Sequence, residues 1–184
     1  IYQKNSLFYT SNLFLNFNNN NYKYNKVGWY GNINVTNRTN NNRKKLLNIG
    51  NNNKDLFDII HVDSYTKTNF KSIIDIMKDY SILLDIEGGG YSARLKYLLF
   101  SNKPLLVVDR PYKEFFFKNL KEYIHYIPVK RDLSDLIEKT NWILNNYNES
   151  LYIANNALEF AKTYLSEEYV YRHIFNIIDN QNKI

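Results

Sequence analysis

Cysteine is absent from this chain of 184 residues. That excludes a disulfide framework and thiolate chemistry, and it leaves the redox compartment unreadable from cysteine usage. No apolar run approaches the ~18 residues that a membrane-spanning helix needs. No signal peptide stands at the start, where Ile1 occupies the place of an initiator methionine, so the chain reads as cut from, or shortened at the front of, something longer. Histidine is scarce, at three residues. No His/Asp/Glu cluster has metal-ligand spacing, no Ser-His-Asp arrangement can be drawn, and no Asp-x-Asp pair of the kind that holds a metal-bound sugar nucleotide occurs. Glycine is scarce too, yet three of the six glycines are consecutive, Gly88, Gly89 and Gly90.

The net charge of +6 is mildly basic, and only Arg43-Lys44-Lys45 and Lys130-Arg131 are clustered. A nucleic-acid surface concentrates its charge and interleaves it with an aromatic platform, so no nucleic-acid partner is expected. The balance suits an anionic small ligand. Tyrosine is abundant, at 17 residues, and asparagine runs in tracts such as Asn18 to Asn21 and Asn51 to Asn53, which reads as a base-composition bias. In so asparagine-rich a chain the N-glycosylation sequons at Asn34, Asn37 and Asn148 carry little weight.

The chain is organised around Ser81 to Phe100. An apolar strand, Ile82-Leu83-Leu84-Asp85-Ile86, runs into the three glycines and leaves as a helix whose first turns carry Tyr91, Ser92, Arg94 and Lys96. A strand, glycine turn and helix start can hold a phosphate: the backbone comes close, free N–H groups point outward and the helix dipole favours an anion. Arg94 and Ser92 add a guanidinium fork and a hydroxyl. A plain tight turn is the competing reading, because neither the Gly-x-Gly-x-x-Gly fingerprint nor a Gly-Lys-Ser/Thr phosphate loop is present.

Residues 1–25 read as a poorly ordered or interdomain segment, with apolar islands at Leu7-Phe8-Tyr9 and Leu13-Phe14-Leu15. From 26 to 184 the pattern is one domain. Strands are expected at 27–31, 57–62, 82–86, 105–108 and 123–129, the last ending at Pro128. Helices are expected at 40–49, closed by Gly50 just beyond its end, at 70–78, and as a short one at 112–120. Asp132 reads as an N-cap, with Asp135 at the third helical position, ahead of a helix carrying Leu136 and Ile143. Two more helices follow at 150–164 and 167–179. Strand–helix alternation with apolar runs implies a Rossmann-like, doubly wound parallel α/β sheet that ends in a helical cluster.

Ligands of such sheets bind beyond the carboxyl ends of the strands. Tyr30-Gly31-Asn32, His61-Val62-Asp63, Glu87 to Ser92 and Asp109-Arg110 all fall there. Glu87 could accept ribose or sugar hydroxyls, or be a surface carboxylate. His61 could join the site, whereas His125 reads as packed and His173 as structural.

The run from Asp85 to Leu98 resembles the core motif of the CAP10-like glycosyltransferases, the group of protein O-glucosyltransferases, KDEL-motif proteins and lipopolysaccharide-modifying enzymes. Further blocks carry the likeness: Tyr112 to Phe116, His125 to Leu136, Ile153 to Ala157 with Phe160, and Trp29-Tyr30-Gly31-Asn32 with Arg43. The resemblance implies the C-terminal, donor-holding half of a GT-B enzyme. It implies transfer of glucose, xylose or a similar sugar from a UDP-sugar to a hydroxyl of a protein or glycan acceptor, with inversion and no essential metal or other cofactor. Carried over by position, Ser92 and Arg94 would hold the diphosphate with backbone from Gly89 to Tyr91, and Arg43 would be a second cation. Tyr30 and Gly31 would border the nucleotide, with Glu87 and Gly88 at the same mouth. The family's arginine at the first motif is Tyr30 here. Its catalytic aspartate belongs to an N-terminal half outside this sequence, so the catalytic residue is left unassigned. The competing reading is a non-catalytic nucleotide-sugar-binding fragment or one half of a split enzyme. Cellular members of the family would place it in the secretory pathway or the ER lumen; otherwise it would be cytoplasmic.

Overall fold

The computed structural model describes residues 21–34, 41–63 and 65–181. The apolar islands near the N-terminus and the sequon at Asn37 lie outside the described residues. Five strands, β1 (Tyr24–Gly31), β2 (Phe57–His61), β3 (Tyr80–Asp85), β4 (Leu105–Val108) and β5 (Ile127–Val129), form one sheet in the order β2-β1-β3-β4-β5. Every pairing is parallel, with Val27 opposite Ile82 and Leu83 opposite Leu105. The helices are α1 (Asn42–Asn52), α2 (Ile73–Asp79), α3 (Leu95–Leu98), α4 (Leu136–Asn145), α5 (Tyr147–Tyr164) and α6 (Glu167–Gln181).

Strand alternation divides the core into two layers. Leu83, Leu105 and Val107 face one side, where Ile76 and Met77 of α2 and Phe160 of α5 cover them. Ile82, Leu84, Leu106 and Val108 face the other, against Leu46 of α1 and Leu136 and Ile143 of α4. All six residues of β3 are buried, as a strand covered on both faces requires. The strand order reverses between β1 and β3, and that switch point is where an open α/β sheet leaves a crevice for a ligand.

Several boundaries differ from the sequence-based expectation, each for a local reason. β1 begins at Tyr24, ahead of the expected domain edge at 26. Gly50 lies inside α1 rather than beyond it; a Cβ there would stand 2.5 Å from Cγ1 of Ile59, so glycine lets the helix lie against β2. Asn53, just past the helix end, caps it with a backbone N–H that donates to Gly50 O. α2 starts after Ser72, which accepts from the Asp75 N–H, and leaves Phe70 exposed. The segment ahead of β5 is a turn, with Tyr123 at φ 56° and His125 N–H donating to Lys121 O, so only three strand residues remain. Pro128 fits within β5 because this is an edge strand. Asp132 does not cap α4: it accepts from the Ser134 N–H, Leu133 turns at φ 62°, and α4 begins at Leu136. The helix after the glycines also starts late, at Leu95, and is four residues long.

Candidate functional site

The site is built on Trp29, which is 2% exposed near the end of β1. Its indole lies beside Gly31, the last residue of the strand. A Cβ on Gly31 would fall 2.7 Å from the ring, so that position has to be glycine for the indole to lie there. The guanidinium of Arg43, in the first turn of α1, sits 5.4 Å from the Trp29 ring centroid, and that of Arg94 sits 5.8 Å from it. Two cations thus share one aromatic platform at the β1/β3 switch point.

Their partners differ. Arg43 donates from Nε to Glu87 O at 2.9 Å and from Nη1 to Asn32 O at 2.7 Å, tying α1 to the ends of β1 and β3. The Arg94 guanidinium has no hydrogen-bond or ion-pair partner among the described residues. Burial, then the neighbouring Arg94, pulls Arg43 down to about 10; Asp85 and Glu87 oppose the fall. Burial likewise lowers Arg94, with Asp85 opposing. An anion at this point would offset the burial that lowers both groups and the repulsion that lowers Arg43.

The glycine turn follows β3. The Gly88 N–H donates to Tyr91 O at 3.4 Å, and a Cβ on Gly88 would lie 3.6 Å from Nη2 of Arg43. At Gly90 nothing lies within 4 Å of a Cβ, so the turn opens outward there. No described glycine takes a positive φ, so these glycines serve access rather than a left-handed turn. Tyr91 is more than half exposed. Because α3 is so short, the arginine side chains and not a helix macrodipole supply the positive charge.

The remaining expected residues are placed as follows. Glu87 is not a surface carboxylate: it is 1% exposed, and its Oε1 accepts from Nη2 of Arg131 at 3.3 Å. Ser92 is buried and donates to Asp85 at 2.5 Å. Tyr30 projects from the opposite face of β1 to Trp29 and shares a hydrogen bond with the Tyr80 hydroxyl at 2.9 Å, so its ring is held apart from the two arginines. His61 accepts from the Ile33 N–H at 3.4 Å. His125 accepts from the Lys121 N–H, and its ring lies against Phe160. His173 stacks on Phe115. Sequence reasoning missed Trp29 as the platform, Arg131 as the partner of Glu87, and Asn42, whose side chain donates to Arg131 O at 2.6 Å. A run of Asp132, Lys130 and Arg131 beside the expected ligand edge was the available signal. Among the described residues, no group of three His, Cys, Asp or Glu side chains could hold a metal ion, and no helix is long and apolar enough to cross a membrane.

The model of the glycosyl transferase family 90 matches residues 16–184. The chain belongs to that family. It is 30% identical over 112 residues to human protein O-glucosyltransferase 3, across 61% of this chain and 22% of that protein. It is 35% identical over 100 residues to protein O-glucosyltransferase 2 of Danio rerio, across 54% of this chain and 20% of that protein. It is also 36% identical over 106 residues to uncharacterized protein 179R of Invertebrate iridescent virus 6, across 54% of this chain and 9% of the viral protein. The chain therefore spans about a fifth of the length of the glucosyltransferases it matches. Among solved structures, TarM superposes with a TM-score of 0.63 over 88% of this chain and 36% of its own, at 12% identity, which is a likeness of fold. The CAP10-like membership and the Rossmann-like half of a GT-B arrangement expected from the sequence both hold.

Proposed function

We propose that this member of the glycosyltransferase family is the donor-binding part of an enzyme that moves glucose, xylose or a similar sugar from a UDP-sugar to a hydroxyl acceptor with inversion. The observation that carries the reading is Arg94. It is a largely buried guanidinium without an ionic partner among the described residues, beside Arg43 on the Trp29 ring, at the mouth of an outward-opening glycine turn. A diphosphate is an anion that suits the Arg94 guanidinium with Nη2 of Arg43 beside it, the other Arg43 nitrogens being held by Glu87 O and Asn32 O. Gly89 to Tyr91 would give the diphosphate its backbone contacts, the Gly88 N–H being held by Tyr91 O, and Gly31 and Asn32 would border the nucleotide. Glu87 would act from within, through its pair with Arg131.

In the transfer, the acceptor oxygen bonds to the anomeric carbon as the bond from that carbon to the diphosphate oxygen breaks. The electron pair leaves with UDP, and the acceptor proton passes to a base. Arg94 and Arg43 stabilise the charge that grows on the departing diphosphate. The base belongs to the part of the enzyme outside these residues, in keeping with the share of the relatives that the chain covers. The same coverage favours a second reading, in which the chain is one half of a split enzyme or a non-catalytic binding fragment. Calorimetric titration of the chain with UDP tests the shared premise: saturable 1:1 binding supports it, and no binding at millimolar UDP contradicts it.

A further inference from the structure

Behind the glycine turn, a buried chain of hydrogen bonds links the end of β4 to the residue that opens α3. Arg110, just past β4, is 2% exposed, and Asp85, the last residue of β3, is fully buried. Nη2 of Arg110 donates to Oδ2 of Asp85. The Ser92 hydroxyl donates to Oδ1 of the same carboxylate at 2.5 Å and accepts from the Arg94 N–H at 3.3 Å. Arg94 then leads into α3.

Two consequences follow. A hydroxyl has one hydrogen, and that of Ser92 is committed to a buried carboxylate in a charge-assisted bond. It is not available to a phosphate oxygen unless that bond breaks. Second, Nε of Arg110 is buried with no hydrogen-bond partner, and among the described residues Asp85 is the one side chain that hydrogen-bonds this guanidinium. A buried pair of this kind adds little net stability over an apolar replacement, so a geometric role is the stronger reason for its presence.

We propose that Arg110 and Asp85 are positioning residues for the diphosphate grip: through Ser92 they set the start of the segment that carries Arg94, and Ser92 acts by this hydrogen bond and not by touching phosphate. The inference rests on the donor-binding reading above. It also gives Ser92 a different task from the one its place in the motif suggests.

The test uses the whole chain and two readouts, amide hydrogen exchange of Arg94 and the binding of UDP against uridine. Three variants are compared: Ser92→Ala, Arg110→Lys, and the double variant Asp85→Asn/Arg110→Met. The double variant removes both buried charges together and so leaves no uncompensated ion to unfold the domain. Exchange of the Arg94 amide should rise about tenfold in Ser92→Ala and in the double variant, with the amides of β3 and β4 unchanged. UDP affinity should fall roughly tenfold in both, while uridine affinity stays within about twofold, because only the phosphate contacts are displaced. Arg110→Lys, which keeps the charge on Asp85, should hold UDP affinity within about threefold of the parent. A purely structural role would lower UDP and uridine binding together. The proposal is overturned if the double variant binds UDP like the parent, or if Arg94 exchange does not change in Ser92→Ala. If the parent chain binds neither UDP nor uridine, the donor-binding reading falls, and Arg94 exchange alone then supports or overturns the link.

Discussion

Glu87 and Arg131 form an ion pair at 3.3 Å that joins the residue leading into the glycine turn to the loop after β5. Only the arginine reaches solvent; the carboxylate is 1% exposed. Arg131→Ala would strand a buried carboxylate. It should cost about 2–4 kcal/mol, somewhat below the usual figure for breaking a fully buried pair because the arginine is partly solvated. Glu87→Gln, which leaves no buried charge, should cost less. Urea unfolding of both variants checks the order.

Gly31 and Gly90 should respond oppositely to a methyl group. Gly31→Ala puts a Cβ 2.7 Å from the Trp29 ring, in a packed interior. It should destabilise by about 1–3 kcal/mol through overpacking. Gly90→Ala meets open space. Its stability should stay within about 0.5 kcal/mol of the parent, as for other surface changes. Its UDP affinity should nonetheless fall, because the methyl group occupies the path by which a phosphate would approach the turn. Thermal melts and UDP titrations of the two variants separate the effects.

Tryptophan emission should report the ligand. The chain has two tryptophans, Trp29 and Trp142, and only Trp29 carries the two guanidinium groups on its ring. Displacing those groups toward an anion changes the field at the indole. UDP should therefore alter emission in the parent and in Trp142→Phe, and leave it unaltered in Trp29→Phe. A ligand response that survives in Trp29→Phe would place the anion elsewhere.

Much of this was legible in the sequence, and the boundary of legibility has a physical cause. β3 and β4 were plain because strands buried on both faces read as unbroken apolar runs, Ile82 to Leu84 and Leu105 to Val108. The glycine turn was plain because three glycines follow one of those strands. The site's partners were not, because they are tertiary. Nothing near Arg110 announces a carboxylate 25 positions earlier, and nothing in Trp29-Tyr30-Gly31 says which of the two rings faces the arginines. Gly50 looked like a helix stop because its real reason, Ile59 on a neighbouring strand, is invisible to local pattern.

Lys103 gives the fold a pH signature. It is 1% exposed, donates to Tyr80 O at 2.7 Å, and burial pulls it down to about 8 from its ordinary 10.5. Between those values the unfolded chain holds the proton and the folded chain releases it, so stability should rise with pH across about 8 to 10.5 on this account. Below about 8 both states are protonated and this residue adds no slope. Lys103→Met should remove that part of the rise. Denaturant midpoints measured every half unit from pH 7 to 11 for the parent and the variant, about nine conditions each, give the difference directly.

Arg94 is the residue on which the proposed diphosphate grip depends most. Isothermal titration of UDP into the chain and into Arg94→Ala measures that dependence most directly. Loss of a charge-assisted contact should weaken binding by about 1.5–3 kcal/mol, more than tenfold in Kd, while the fold is retained. Equal affinity in the parent and in Arg94→Ala would contradict the account, because the one guanidinium with neither a hydrogen-bond nor an ion-pair partner among the described residues would then have no part in holding the ligand.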